Sequence, residues 1–86
     1  MDLSEFLLAR IAEDEHNASL EIGRRDVVLV GAFAPARVLA ECDAKRRIVE
    51  MGGHLRNGGL VEGRILLGYL ALPYADHEQF QEEWRP

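Results

Sequence analysis

The sequence predicts an all-α fold, a small bundle of three main helices with a short helix at the C-terminus. Three observations predict it. Leu3, Phe6, Leu7, Ile11 and Ala18 recur at helical spacing near the start. Pro35 opens a second stretch that keeps the same periodicity. From Leu60 an apolar segment runs helically until Pro73 stops it. The 86 residues form one domain.

The first helix has its start signal in Asp2, whose carboxylate can cap the backbone while Glu5 reaches back, with Met1 and Phe6 placed for a hydrophobic staple. Glu5, Glu13 and Asp14 fall mainly off the apolar face, and the helix is expected to reach about Leu20. Val27 to Val30 are strand formers. No second convincing strand is present to pair with them, and an unpaired strand would leave its backbone groups unsatisfied, so a short buried helix is expected there.

In the Pro35 helix, Val38, Leu39, Cys42, Val49 and Met51 can line a buried stripe. Glu41 with Lys45, Asp43 with Arg47, and Arg46 with Glu50 stand four residues apart on the outside, each pair worth ~0.2–0.5 kcal/mol. Gly52 and Gly53 are expected to end this helix, leaving GGHLRNGG at 52–59 as a glycine-rich loop. The third helix, with Ile65, Leu66, Leu67, Tyr69, Leu70 and Leu72, is apolar on almost every side apart from Glu62 and Arg64. A helix of that kind is either central in the bundle or half of an interface. After Pro73, Asp76 with Gln79 repeats the capping-box spacing for a final turn or two carrying Phe80 and Trp84.

Charge is unevenly distributed within the net −5. Residues 1–22 carry six acids and one base, 23–72 five acids and eight bases, and 73–86 four acids and one base. Acidic ends and a basic middle suit ends folded back on the middle, or head-to-tail self-association. Cys42 is the lone cysteine, so a disulfide-stapled secreted scaffold is excluded and a reducing cytoplasm fits best. The N-terminus carries Asp2 and Glu5 where a secretory signal would be basic. The longest apolar run, 65–75, is about half of the ~20 residues that span a bilayer.

Two blocks, PARVLAECDAKRRIVE at 35–50 and LALPYADH with EEWRP at 70–86, resemble a family of small uncharacterised actinobacterial and actinophage proteins. With the acidic turn AEDEH at 12–16, the likeness covers about half of the chain. It implies an actinobacterial or phage source and an ending built for packing rather than catalysis. Family members carry a longer segment before the proline and a His-Ile-Ala and an Asp that this chain replaces with Leu29-Val30-Gly31 and Ala34. The second helix thereby loses an Asp cap, worth ~1 kcal/mol.

Several residues invite a chemical reading. Glu13 and His16 form the E-x-x-H step of carboxylate-bundle metal sites, but such sites need a second motif that is absent, so a solvated face is expected. Cys42 with His54 or His77 makes a nucleophile and base on paper. The spacing of Cys42 with Val38 and Leu39 favours a buried structural thiol. Asp76-His77-Glu78 reads as a capping turn, and the glycines at 52–59 lack the lysine and strand of a phosphate loop. No cofactor or metal is expected.

Arg37, Lys45, Arg46 and Arg47, with Arg24 and Arg25, are the candidate nucleic-acid face, opposed by the interleaved Glu41, Asp43 and Glu50 and by the acidic total. A helix-turn-helix drawn from the Val27 segment and the Pro35 helix lacks Asn, Gln or Ser to read bases. The leading expectation is a non-enzymatic module that binds another protein or itself, as a homo-oligomer. Leu66, Leu67, Leu70, Tyr74, Phe80 and Trp84 are its expected contact residues.

Overall fold

The computed structural model describes residues 1–22 and 34–86. Arg24, Arg25 and the expected helix at Val27 to Val30 lie outside the described residues. Three helices, α1 (Leu3–Ile22), α2 (Pro35–Asn57) and α3 (Val61–Ala71), pack together as a small all-α bundle. They are followed by 3-10 turns at Leu72–Tyr74 and Glu82–Trp84. The described residues contain no strand.

α1 begins where the capping signal places it: the Asp2 carboxylate accepts the Glu5 N–H at 2.8 Å. The staple does not form, because Met1 is 59% exposed while Phe6 turns fully inward. The buried stripe is Leu3, Phe6, Leu7, Arg10, Ile11 and Ala18, with a charged side chain at its centre.

α2 runs straight through Gly52 and Gly53 and ends at Asn57, six residues later than the sequence suggests. The reason lies in α3. A Cβ on Gly63 would strike the backbone of α2 at Arg56 N and Gly52 O, and one on Gly52 would meet Leu67 Cδ2 at 2.8 Å. The two helices therefore touch backbone to backbone at Gly52 and Gly63. An interior glycine costs about 1 kcal/mol of helix propensity, and the close packing offsets that cost at Gly52. The actual terminus is the second glycine pair. Leu60 N–H donates to Leu55 O at 2.9 Å and Gly59 N–H to Arg56 O at 3.0 Å, with Gly59 at φ 86°. This is the Schellman arrangement, whose left-handed residue favours glycine.

Within α2, Cys42 and Val49 are buried, and Val38 and Leu39 are half-buried. Met51 departs from the expected stripe and is 60% exposed, one residue out of phase with the face that Gly52 turns to α3. The core joins Leu3, Phe6, Leu7, Ile11, Cys42, Val49, Leu67, Ala71 and Trp84, with Val38, Leu70, Tyr74 and Phe80 packed against it.

The C-terminal segment has no α-helix, and Asp76 does not cap one. The Gln79 N–H instead donates to His77 Nδ1 at 3.0 Å. The segment folds as successive turns, so its short helix is the single 3-10 turn at Glu82–Trp84. Aromatic packing holds it down. The Phe6 ring meets His77 at 5.5 Å, Phe80 and Tyr74 at 6.3 Å each, and Trp84 at 4.9 Å between centroids. Gly68 admits the end of the chain, since a Cβ there would lie 2.7 Å from Trp84 O.

The two roles of glycine in α2 and α3 are separable. Gly63→Ala is expected to lower unfolding free energy by ~2–3 kcal/mol through backbone overlap. Gly53, whose Cβ would meet nothing nearer than Ser4 Oγ at 4.0 Å, is expected to gain up to ~1 kcal/mol as alanine. Urea titration of both variants checks the pair.

Candidate interaction surface

The glycine contact fixes which way α3 faces. Gly63, Leu67, Gly68 and Ala71 turn inward. The opposite side presents Val61 at 59% exposure, Leu66 at 39%, Tyr69 at 58% and Leu72 at 37%, with Leu60 at 50% just before the helix. Val61 and Ile65, Ile65 and Tyr69, Leu66 and Tyr69, and Tyr69 and Leu72 stand three or four residues apart, so these side chains adjoin along one face. Glu62 is the one charged residue among them and lies in the first turn. On α2, Ile48 and Met51 are also exposed.

The six expected contact residues separate sharply. Leu66 belongs to this outer face. Leu67 is fully buried and Trp84 is 8% exposed, while Leu70, Tyr74 and Phe80 are half-buried against the core. Five of the six thus pack mainly within the chain's own interior, because the C-terminal aromatics close over Phe6 instead of projecting. Tyr69 was not among them and is the largest exposed side chain on α3. Residue size does not mark its position, since Gly63, Gly68 and Ala71 turn inward together with the bulky Leu67.

The basic residues of α2 do not converge. Lys45, Arg46 and Arg47 are consecutive and fan out by about 100° each around the helix. Arg47 Nε donates to Asp43 Oδ2 at 3.1 Å, as expected from the spacing. Arg37 Nε takes Glu41 Oε1 at 3.2 Å, in place of the expected Lys45. Arg46 turns from Glu50 to α1, where it holds Glu15 with Nε at 3.1 Å and with Nη2. That hydrogen bond, reinforced by the guanidinium charge, lowers the Glu15 carboxyl below the ordinary carboxylate range.

A second polar cluster lies between α1 and the C-terminal segment, centred on a residue that no sequence pattern singles out. Arg10 is 8% exposed. Its Nη2 donates to Glu13 Oε1 at 2.8 Å, its Nη1 to the His77 ring, and its guanidinium stands 5.3 Å from the Phe6 centroid. Arg10 Nε has no partner among the described residues. Beside it, Tyr74 OH donates to Asp14 Oδ2 at 2.9 Å. Burial, and then the bond to Asp14, push the Tyr74 phenol well above its ordinary range.

These contacts occupy the groups that invited a chemical reading. Glu13 is taken by Arg10, and His16 is exposed. Among the described residues no group of three His, Cys, Asp or Glu is placed to hold a metal ion. The Cys42 thiol is 1% exposed, and burial, followed by the Asp14 and Glu15 carboxylates, pushes its pKa up. Such a thiol is a poor nucleophile. A groove of about 410 Å³ runs between the end of α1 and the start of α2, lined by Asp14, Asn17, Ala18, Leu20, Glu21, Pro35 and Val38. No helix among the described residues is long and apolar enough to cross a membrane.

Over residues 1–86 the chain matches the model of a family described as "Family of unknown function (DUF6221)". The chain belongs to this family. No curated protein and no solved structure matches it. In this DUF6221 member, then, the geometry of its own side chains carries the functional reading.

Two outcomes test the polar cluster. Folding keeps Tyr74 protonated, so its contribution is complete below the phenol's ordinary pKa of about 10. It falls as pH rises beyond that, where the unfolded chain ionises and the native one does not. Melting temperatures between about pH 8 and 11 should show this alkaline loss flattened in Tyr74→Phe. Arg10→Met keeps the apolar stem and removes an incompletely satisfied cation, so urea unfolding should place it within ~1 kcal/mol of the parent. Arg10→Ala should lose ~2–3 kcal/mol by leaving a cavity.

Proposed function

We propose that this chain is a non-enzymatic interaction module, binding another protein or itself through the outer face of α3. The observation that carries the reading is the set of Leu60, Val61, Leu66, Tyr69 and Leu72, exposed on α3 and at its two ends. A monomer this small gains stability by burying such side chains, and one that leaves them contiguous in water bears a penalty that a partner removes. The pairing of Arg37, Arg46 and Arg47 with carboxylates weighs against a phosphate-binding role for α2. The buried, elevated Cys42 thiol weighs against thiol catalysis.

The lone cysteine supports a cytoplasmic setting. The resemblance of the PARVLAE and EEWRP blocks supports an actinobacterial gene, chromosomal or carried by a phage or prophage.

The test is site-specific photo-crosslinking in an actinobacterial host. A benzophenone amino acid at Tyr69 is expected to give one discrete crosslinked species, identified by mass spectrometry. The same group at Glu5, exposed on α1, should give none. Equal and diffuse crosslinking from both positions, or none from either, would show that the α3 face has no dedicated partner.

A further inference from the structure

Resting on that reading of α3, we infer that the occupant of its outer face is a second copy of this chain, related by a two-fold axis that sets the two α3 helices antiparallel. Area is the first argument. Leu60, Val61, Leu66, Tyr69 and Leu72 together expose on the order of 450 Å², taking ordinary side-chain sizes. A standard interface takes ~800 Å² from each partner and a homodimer interface is ~65% apolar, which requires about 520 Å² of apolar surface. The face supplies most of what one side of a dimer needs.

Charge is the second argument. A surface that binds its own image must not carry a charge at its centre, because the same charge arrives from the partner. The middle of this face is Ile65, Leu66 and Tyr69, without an ionisable group other than the phenol. Its acid, Glu62, stands at one end. If the axis passes between Leu66 and Tyr69, antiparallel packing separates the two copies of Glu62 by roughly 16 Å at 1.5 Å rise per residue. That is about twice the ~8 Å screening length at physiological salt. Parallel packing would bring the two carboxylates together at the same level, which disfavours it by up to about 1 kcal/mol.

The shape is self-complementary in the same register. Residues equidistant from the axis meet, so the Tyr69 ring of each protomer covers Leu66 of the other, an isologous exchange. The inner sides of α3 are not available for this contact, since Gly63 receives α2 and Gly68 receives the C-terminal end.

Sedimentation equilibrium of the full chain is expected to give twice 9.7 kDa at micromolar concentration. Leu66→Lys and Tyr69→Glu should each yield the 9.7 kDa monomer with unchanged helical circular dichroism, because both positions are solvent-facing. The register is tested by mixing. Leu66→Lys combined with Tyr69→Glu should restore a dimer containing one copy of each, since the antiparallel arrangement sets the introduced lysine against the introduced glutamate. A parent chain that stays monomeric at all concentrations, a dimer insensitive to both variants, or a mixture that remains monomeric would overturn the inference. If the parent is monomeric while the Tyr69 crosslinker captures one other protein, the second-copy inference fails and the interaction reading stands. If it is monomeric and captures nothing, both fail.

Discussion

The close approach of Gly52 and Gly63 sets the geometry on which the remaining surface depends. Two helices ordinarily pack at 8–10 Å through interleaved side chains. Here a Cβ on Gly63 would overlap the backbone of α2 at Gly52 O, so the helices meet without intervening side chains at that point. Such a contact tolerates little rotation of either helix. It holds α3 with Leu67 and Ala71 in the core, and by the same rotation it turns Leu66, Tyr69 and Leu72 to solvent. The exposed apolar face is thus a consequence of how the inside packs. It stays exposed because the C-terminal segment, which had aromatic side chains to offer, goes to α1 instead.

That choice has its own physical basis in Phe6. Its ring collects Tyr74, His77, Phe80 and Trp84, an aromatic centre that draws the last residues across the bundle. Arg10 extends the same junction with polar contacts to Glu13 and His77. A buried guanidinium is retained at a desolvation cost, and here its central carbon lies over the Phe6 ring while its nitrogens join α1 to the C-terminal turn. Tyr74, His77 and Trp84 all meet Phe6 in this arrangement, so the end of the chain serves packing.

Much of the architecture was legible before any coordinates. Asp2 and Pro35 mark helix starts by local chemistry that operates within one turn, and both act where expected. Asp43 and Arg47 pair because four residues on a helix bring them together whatever else the chain does. Local signals failed where a distant element competes. Gly52 and Gly53 resemble a terminus until α3 is placed on Gly52. Arg46 leaves Glu50, its neighbour in sequence, for Glu15 on another helix. Asp76 yields its capping role when His77 receives the Gln79 N–H.

By itself the sequence determined the all-α class, the helix starts and the absence of a disulfide within these 86 residues, because propensity and capping are properties of neighbouring residues and one cysteine cannot pair with itself. Only the tertiary structure decided which side of α3 is outside. The sequence of that helix is apolar nearly all round, so periodicity contains no phase, and six apolar or aromatic residues looked equally suited to an interface. Five of them pack against the chain's own core, whereas Leu66, and with it Tyr69, which was not among the six, faces outward. Burial of one side chain depends on where every other element lies, and that is information no window of local sequence holds.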